Sequence, residues 1–183
     1  MNRREALKSV VLMMGGTMVG ATAILTGCAP ENQIEGLNFS PDDIAFLDEL
    51  GDTIIPETDT PGAKAAGIGA FMVMMVKDTY DESQQKAFVD GLNMIRKEFK
   101  ASKGADFVEA SAEDRLAYLN DLYEQYKSSS QREPQVINML RDLTVLGYFS
   151  SEIGATQALN YVEVPGRYDG CIDLKPGDKA YAI

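Results

Sequence analysis

The chain has 183 residues, and its 17 Lys and Arg against 28 Asp and Glu give a formal net charge of −11. That length predicts one domain or at most two, and the acidity repels phosphate backbones, so no nucleic acid is expected as a partner. With no His and only two Cys, a Ser-His-Asp triad, a His-ligated zinc or haem, a Glu-x-x-His di-iron centre and a four-thiolate iron–sulfur cluster are excluded.

The N-terminus predicts an export signal over residues 1–27. Arg3, Arg4 and Lys8 form a basic patch, and Val10 to Leu25 is an uncharged apolar run. Small residues follow at Leu25-Thr26-Gly27-Cys28. A positive start, an apolar middle and a small-residue cleavage point are the parts of a secretory signal. The run is short for a bilayer-spanning helix, which is the alternative reading. The pair Arg3-Arg4 with Leu7 resembles the twin-arginine signal, which carries folded proteins, although Ala6 stands where that pattern usually has Phe. The Leu-Thr-Gly-Cys tetrapeptide resembles a bacterial lipobox, which implies lipid on Cys28. Cleavage there removes Arg3, Arg4, Lys8 and Glu5, a net +2, and leaves 156 residues at −13. The expectation is an acidic domain tethered to the cell envelope through lipid. One thiol then remains, Cys171. An unpaired Cys in an oxidising compartment is either bonded to another chain or buried and inert.

Residues 28–39 read as a lipidated linker and 40–183 as the domain proper. Ser40-Pro41-Asp42-Asp43 predicts a helix start, because Ser caps, Pro suits the first turn and acids favour the positive helix end. Ile44, Leu47, Leu50 and Ile54 follow at helical spacing. Pro56 ends that helix, and Glu57 to Lys64 is a loop of turn formers. Ala65 to Tyr80 is apolar nearly all round, so it is expected to be the most buried helix. Asp81 or Ser83 opens the next, with Phe88, Leu92, Ile95 and Phe99 on one stripe and Gly104 as its stop. Ser111 and Asp114 have capping-box spacing, followed by Leu116, Leu119, Leu122, Tyr123 and Tyr126. Ser128 to Ser130 is a loop. Pro134 starts a helix through Val136, Ile137, Leu140, Leu143, Val145 and Phe149. Beyond Gly154 a short helical turn gives way to an extended segment with Pro165-Gly166, Asp169-Gly170 and Pro176-Gly177 turns. The predicted fold is all-α: a single bundle of about five helices with a turn-rich C-terminal tail.

Chemistry-bearing motifs are scarce. The run Gly62 to Gly69 lacks the Gly-Lys-Ser/Thr of a phosphate loop and follows no strand, so it reads as a turn. Met72, Met74 and Met75 read as core rather than as a soft metal site. Asp42, Asp43, Asp78, Asp81 and Glu82 read as helix-capping acids rather than acid–base pairs. Tyr118, Tyr123 and Tyr126 are expected to half-bury their rings. Without His no nucleophile–base constellation can be drawn. These residues predict no catalytic, cofactor or metal site, and a protein that acts by binding another.

Phe46-Leu47-Asp48-Glu49-Leu50-Gly51-Asp52-Thr53-Ile54-Ile55-Pro56-Glu57-Thr58-Asp59-Thr60-Pro61-Gly62-Ala63-Lys64-Ala65-Ala66-Gly67 resembles the signature of the gluconate 2-dehydrogenase subunit 3 family. The runs Gly147 to Gly154, Leu159 to Tyr161 and Val164 to Cys171 are similar to that family's ending. The resemblance implies a non-catalytic small subunit beside a large glucose–methanol–choline type flavoprotein. FAD would sit in that partner, which oxidises a sugar, sugar acid, polyol or glycoside and passes electrons to a cytochrome c or another acceptor. The small subunit would act as export carrier, folding partner and lipid anchor in the periplasm. The expected partner-binding residues are Pro56, Asp59, Pro61 and Gly62 in the loop. In the tail they are Pro165, Gly166, Arg167, Tyr168, Asp169, Gly170 and Cys171, with Cys171 as candidate for a bond to the large subunit. The alternative function is a free-standing envelope lipoprotein that binds a glycan or another envelope protein.

Overall fold

In a computed structural model the described residues are 37–128, 136–164, 166, 171, 173 and 175–182. The expectations for Arg3, Arg4, Leu7 and Cys28 lie outside them, as do those for the linker 28–36, the loop 129–130, Pro134, Pro165 and 167–170.

Helix α1, Pro41–Ile54, starts where its cap predicts. The Ser40 hydroxyl accepts from the Asp43 amide, and the Asp43 carboxylate accepts from the Ser40 amide at 2.8 Å. Both residues thus satisfy donors that a helix start leaves open. Phe46, Leu47 and Leu50 form its buried stripe. A closed loop follows, tied at its base by the Ala63 amide donating to the Ile55 carbonyl at 2.9 Å. A single 3-10 turn, Ala63–Ala66, leads to Gly67 at φ +67°. Left-handed backbone of this kind favours Gly, which has no Cβ to clash.

That turn divides the apolar stretch expected to be one helix. Helix α2 spans only Ile68–Thr79. Gly67 brings no side chain to cap it, and the Asp48 carboxylate of α1 accepts from the Gly69 amide at 2.7 Å instead. Helix α3, Glu82–Lys103, opens on a capping box between Asp81 and Gln84 and closes on Gly104 at φ +74°. A 3-10 turn, Phe107–Glu109, precedes α4, Ala112–Ser128. Helix α5 is Val136–Ser150. It runs through a short turn into a π-helical segment, Gly154–Ala158. The tail then forms a parallel pair of two-residue strands, β1 (Asn160–Tyr161) and β2 (Tyr181–Ala182). The two ends of the segment predicted as extended therefore lie side by side.

The described chain is an all-α bundle of five helices, as the periodicity predicts. Its core joins Leu47 and Leu50 of α1, Met72 and Val76 of α2, Phe88, Ile95 and Phe99 of α3, Leu119 and Leu122 of α4, and Leu140 and Leu143 of α5. Burying each such side chain contributes about 1.5–3 kcal/mol. Phe46, Phe107, Phe99 and Tyr118 form a chain of edge-on rings with centroids 4.8–5.4 Å apart. That chain links α1, α3 and α4.

Four expectations are corrected. The most buried helix is α5, because it packs against all four others; α2 has an outer face, with Met74 exposed. Leu116, Val145 and Phe149 also face solvent. Among the described helices, none covers the side on which each of them lies. Asp78 lies in the last turn of α2, so it is not an N-terminal capping acid. Lastly, Cys171 is exposed, so the buried-thiol alternative does not hold for this chain. Among the described residues no helix is long and apolar enough to cross a membrane.

Candidate partner-binding surface

The loop of residues 56–62 and the C-terminal turns of α5 are 87 residues apart in sequence at their point of contact, yet they meet. The Tyr148 hydroxyl of α5 donates to the Pro61 carbonyl at 2.7 Å. Tyr148 is buried, and the Phe149 ring lies edge-on to it at 5.2 Å. Two close approaches hold this joint. Gly147 lets Ile68 and Phe71 of α2 lie against α5, where a Cβ would come within 2.3 Å of Ile68 Cδ1. At Gly62 a Cβ would lie 2.5 Å from Asp52 Oδ1 and 2.6 Å from the Glu57 amide nitrogen.

A charged cluster holds the other side of the loop. Glu49 of α1 is buried and pairs with both Lys64 of the 3-10 turn and Arg115 of α4. Arg115 also donates to the carbonyls of Val108 and Ala110 at 2.9 and 3.1 Å. One carboxylate thus ties α1, the end of the loop and α4 together. Burial works to raise the Glu49 pKa. The Lys64 hydrogen bond and the Arg115 charge outweigh it and hold the carboxyl below its ordinary 4.5.

The expected partner-binding residues separate by exposure. Pro56 and Asp59 are exposed on the loop, and Gly166 and Cys171 on the tail. Pro61 is half-buried with its carbonyl taken by Tyr148, and Gly62 is buried and shapes the loop from within. The sequence reading passed over Tyr148, Glu49, Arg115 and Asp48 as individual contributors. Glu49 did leave a signal: an acid between Phe46 and Leu50 on an apolar stripe needs a cation.

Two cavities of about 420 and 290 Å³ are described. The first is lined by tail residues including Asn160, Asp173 and Tyr181, and the second lies between α3 and α4 beside Glu98 and Tyr118. Among the described residues no three His, Cys, Asp or Glu side chains gather to hold a metal ion. Burial and the Glu98 carboxylate push the Tyr118 pKa up, so its hydroxyl stays protonated.

The family model for gluconate 2-dehydrogenase subunit 3 matches residues 41–166, from the first residue of α1 to the tail. The chain belongs to that family. No match is found among curated proteins or among solved structures. The matched span contains the Tyr148–Pro61 joint and the Glu49 cluster.

Proposed function

We propose that this chain is the non-catalytic small subunit of a periplasmic FAD-dependent sugar, polyol or glycoside dehydrogenase. The large subunit, of the glucose–methanol–choline type, carries FAD and performs the oxidation, and a cytochrome c or another acceptor takes the electrons. This chain acts as export carrier, folding partner and anchor. One observation carries the reading: in a chain of the subunit 3 family, two sequence-distant motifs converge at one end of the bundle. Pro56 and Asp59 are exposed on the loop that this joint holds, and Cys171 is exposed further along the chain.

The proposed route follows from chemistry. Flavin inserts into a folded protein in the cytoplasm, so the complex must leave folded. Arg3 and Arg4, with Leu7, supply the signal for folded export. Lipid on Cys28 then holds the assembly at a membrane surface without a spanning helix.

The test replaces Arg3 and Arg4 together by Lys in the native host. Both this chain and the flavin-bearing subunit should then remain in the cytoplasm. If the flavoprotein still reaches the periplasm, the carrier role is wrong.

A further inference from the structure

We infer that Tyr148 is a two-ended strut that couples the loop of residues 56–62 to the turn by which the chain leaves α5, so that the two segments order and loosen together. The inference goes beyond the small-subunit reading and concerns the chain by itself. The loop end of the strut is the Tyr148 hydroxyl, which donates to the Pro61 carbonyl at 2.7 Å. The other end is the backbone carbonyl of the same residue. That oxygen accepts from the Ser151 amide at 3.1 Å and from the Ser151 hydroxyl at 2.7 Å. The Ser151 hydroxyl oxygen accepts in turn from the Gly154 amide at 3.0 Å. One residue thus fixes the loop with its side chain and the exit turn with its main chain. Tyr148 is 2% exposed, so little water reaches it to replace a bond that is lost.

Gly154 makes the second contact stiff. An added Cβ there would lie 1.9 Å from the Tyr148 carbonyl oxygen, 2.7 Å from its carbonyl carbon and 3.0 Å from the Phe149 Cα. All three are main-chain atoms, which cannot swing aside as a side chain can. Gly154 is not among the described glycines with positive φ, so close approach and not backbone conformation demands glycine here. The order continues beyond it. The Ala155 amide donates to the Ser151 carbonyl at 2.9 Å, and the Leu159 amide to the Gly154 carbonyl at 3.0 Å. Loop and exit turn therefore share one buried residue, and neither can shift it without disturbing the other's hydrogen bonds. By the reciprocity of coupled equilibria, whatever orders one segment favours order in the other.

Amide hydrogen exchange of the full chain, read residue by residue, tests the strut from both ends. The loop reporters are the Thr58 and Ala63 amides, which donate to the Thr60 and Ile55 carbonyls. The exit reporters are the Gly154 amide, or that of its replacement, and the Ala155 amide. Gly154→Ala should speed exchange at the exit and also at Thr58 and Ala63, by about fivefold or more, with the amides of α3 unchanged. Ser151→Ala adds no atoms and removes only the hydroxyl between Tyr148 and Gly154. It should act on the loop in the same direction, and it decides the matter if Gly154→Ala does not fold. From the other end, Tyr148→Phe releases Pro61 and should speed exchange at Ala155 as well as in the loop. If the exit variants leave Thr58 and Ala63 as they were and Tyr148→Phe leaves Ala155 as it was, the segments are independent and the strut is wrong. If the α3 amides speed up as much as the loop does, the effect is a global loss of stability, and the inference is overturned as well.

Discussion

The Tyr148 hydroxyl reaches the Pro61 carbonyl across 87 residues of chain, at 2.7 Å. This bond brings together two motifs that are remote in sequence. Tyr148→Phe keeps the ring and removes only the hydrogen bond. It should cost about 1 kcal/mol and lower the melting temperature by about 2–4 °C. Affinity for the catalytic subunit should fall with it, because a loosened loop must be ordered on binding. A thermal melt and a binding titration check both effects.

Glu49 links acid sensitivity to the same loop. Its pKa is lower in the folded chain than the ordinary 4.5. The stability it contributes is therefore fully present above that value and is lost as pH falls through the folded pKa. Melting temperature should fall on acidification below about pH 5, and Glu49→Gln should flatten that decline. At neutral pH the substitution should destabilise by about 2 kcal/mol, because Arg115 remains largely buried beside a neutral side chain. The exposure of Lys64 keeps its share of the effect small. Melts of both proteins across the acid range give the comparison.

Two loop glycines should respond differently to Ala. At Gly62 the added methyl meets Asp52, Glu57 and Ile55 within 3 Å, two of the contacts being backbone atoms that cannot swing aside. Gly62→Ala should cost about 1–3 kcal/mol and displace the loop. At Gly67 there is open space, and only the φ of +67° opposes a side chain. Gly67→Ala should cost about 1 kcal/mol and leave binding intact once the chain is folded. Urea titrations separate the two.

Cys171 is exposed and is a free thiol among the described residues. If it bonds the large subunit, a non-reducing gel of the complex should show a heavier species that reductant removes and Cys171→Ser abolishes. A gel with no such species would leave the association non-covalent.

The helix starts at Ser40 and Asp81, the stop at Gly104 and the apolar stripe of α3 were all legible from sequence. Each is set by residues within one or two turns of each other, where helical geometry alone determines what can touch. The proposed export signal is of the same local kind, a contiguous pattern of residues. The loop and tail motifs were also legible, but as separate segments.

Amino-acid order by itself determined the helical class, the caps, the absence of histidine chemistry and the acidic charge. Tertiary structure alone decided that Tyr148 meets Pro61, that Glu49 joins Lys64 and Arg115 from 15 and 66 residues away, and that Asp48 caps a different helix. It also decided that α5 rather than α2 occupies the centre. Periodicity shows which side of a helix is apolar, but burial depends on how many neighbours cover that side. Those neighbours come from remote parts of the chain, and only their packing leaves Val145, Leu146 and Phe149 facing outward.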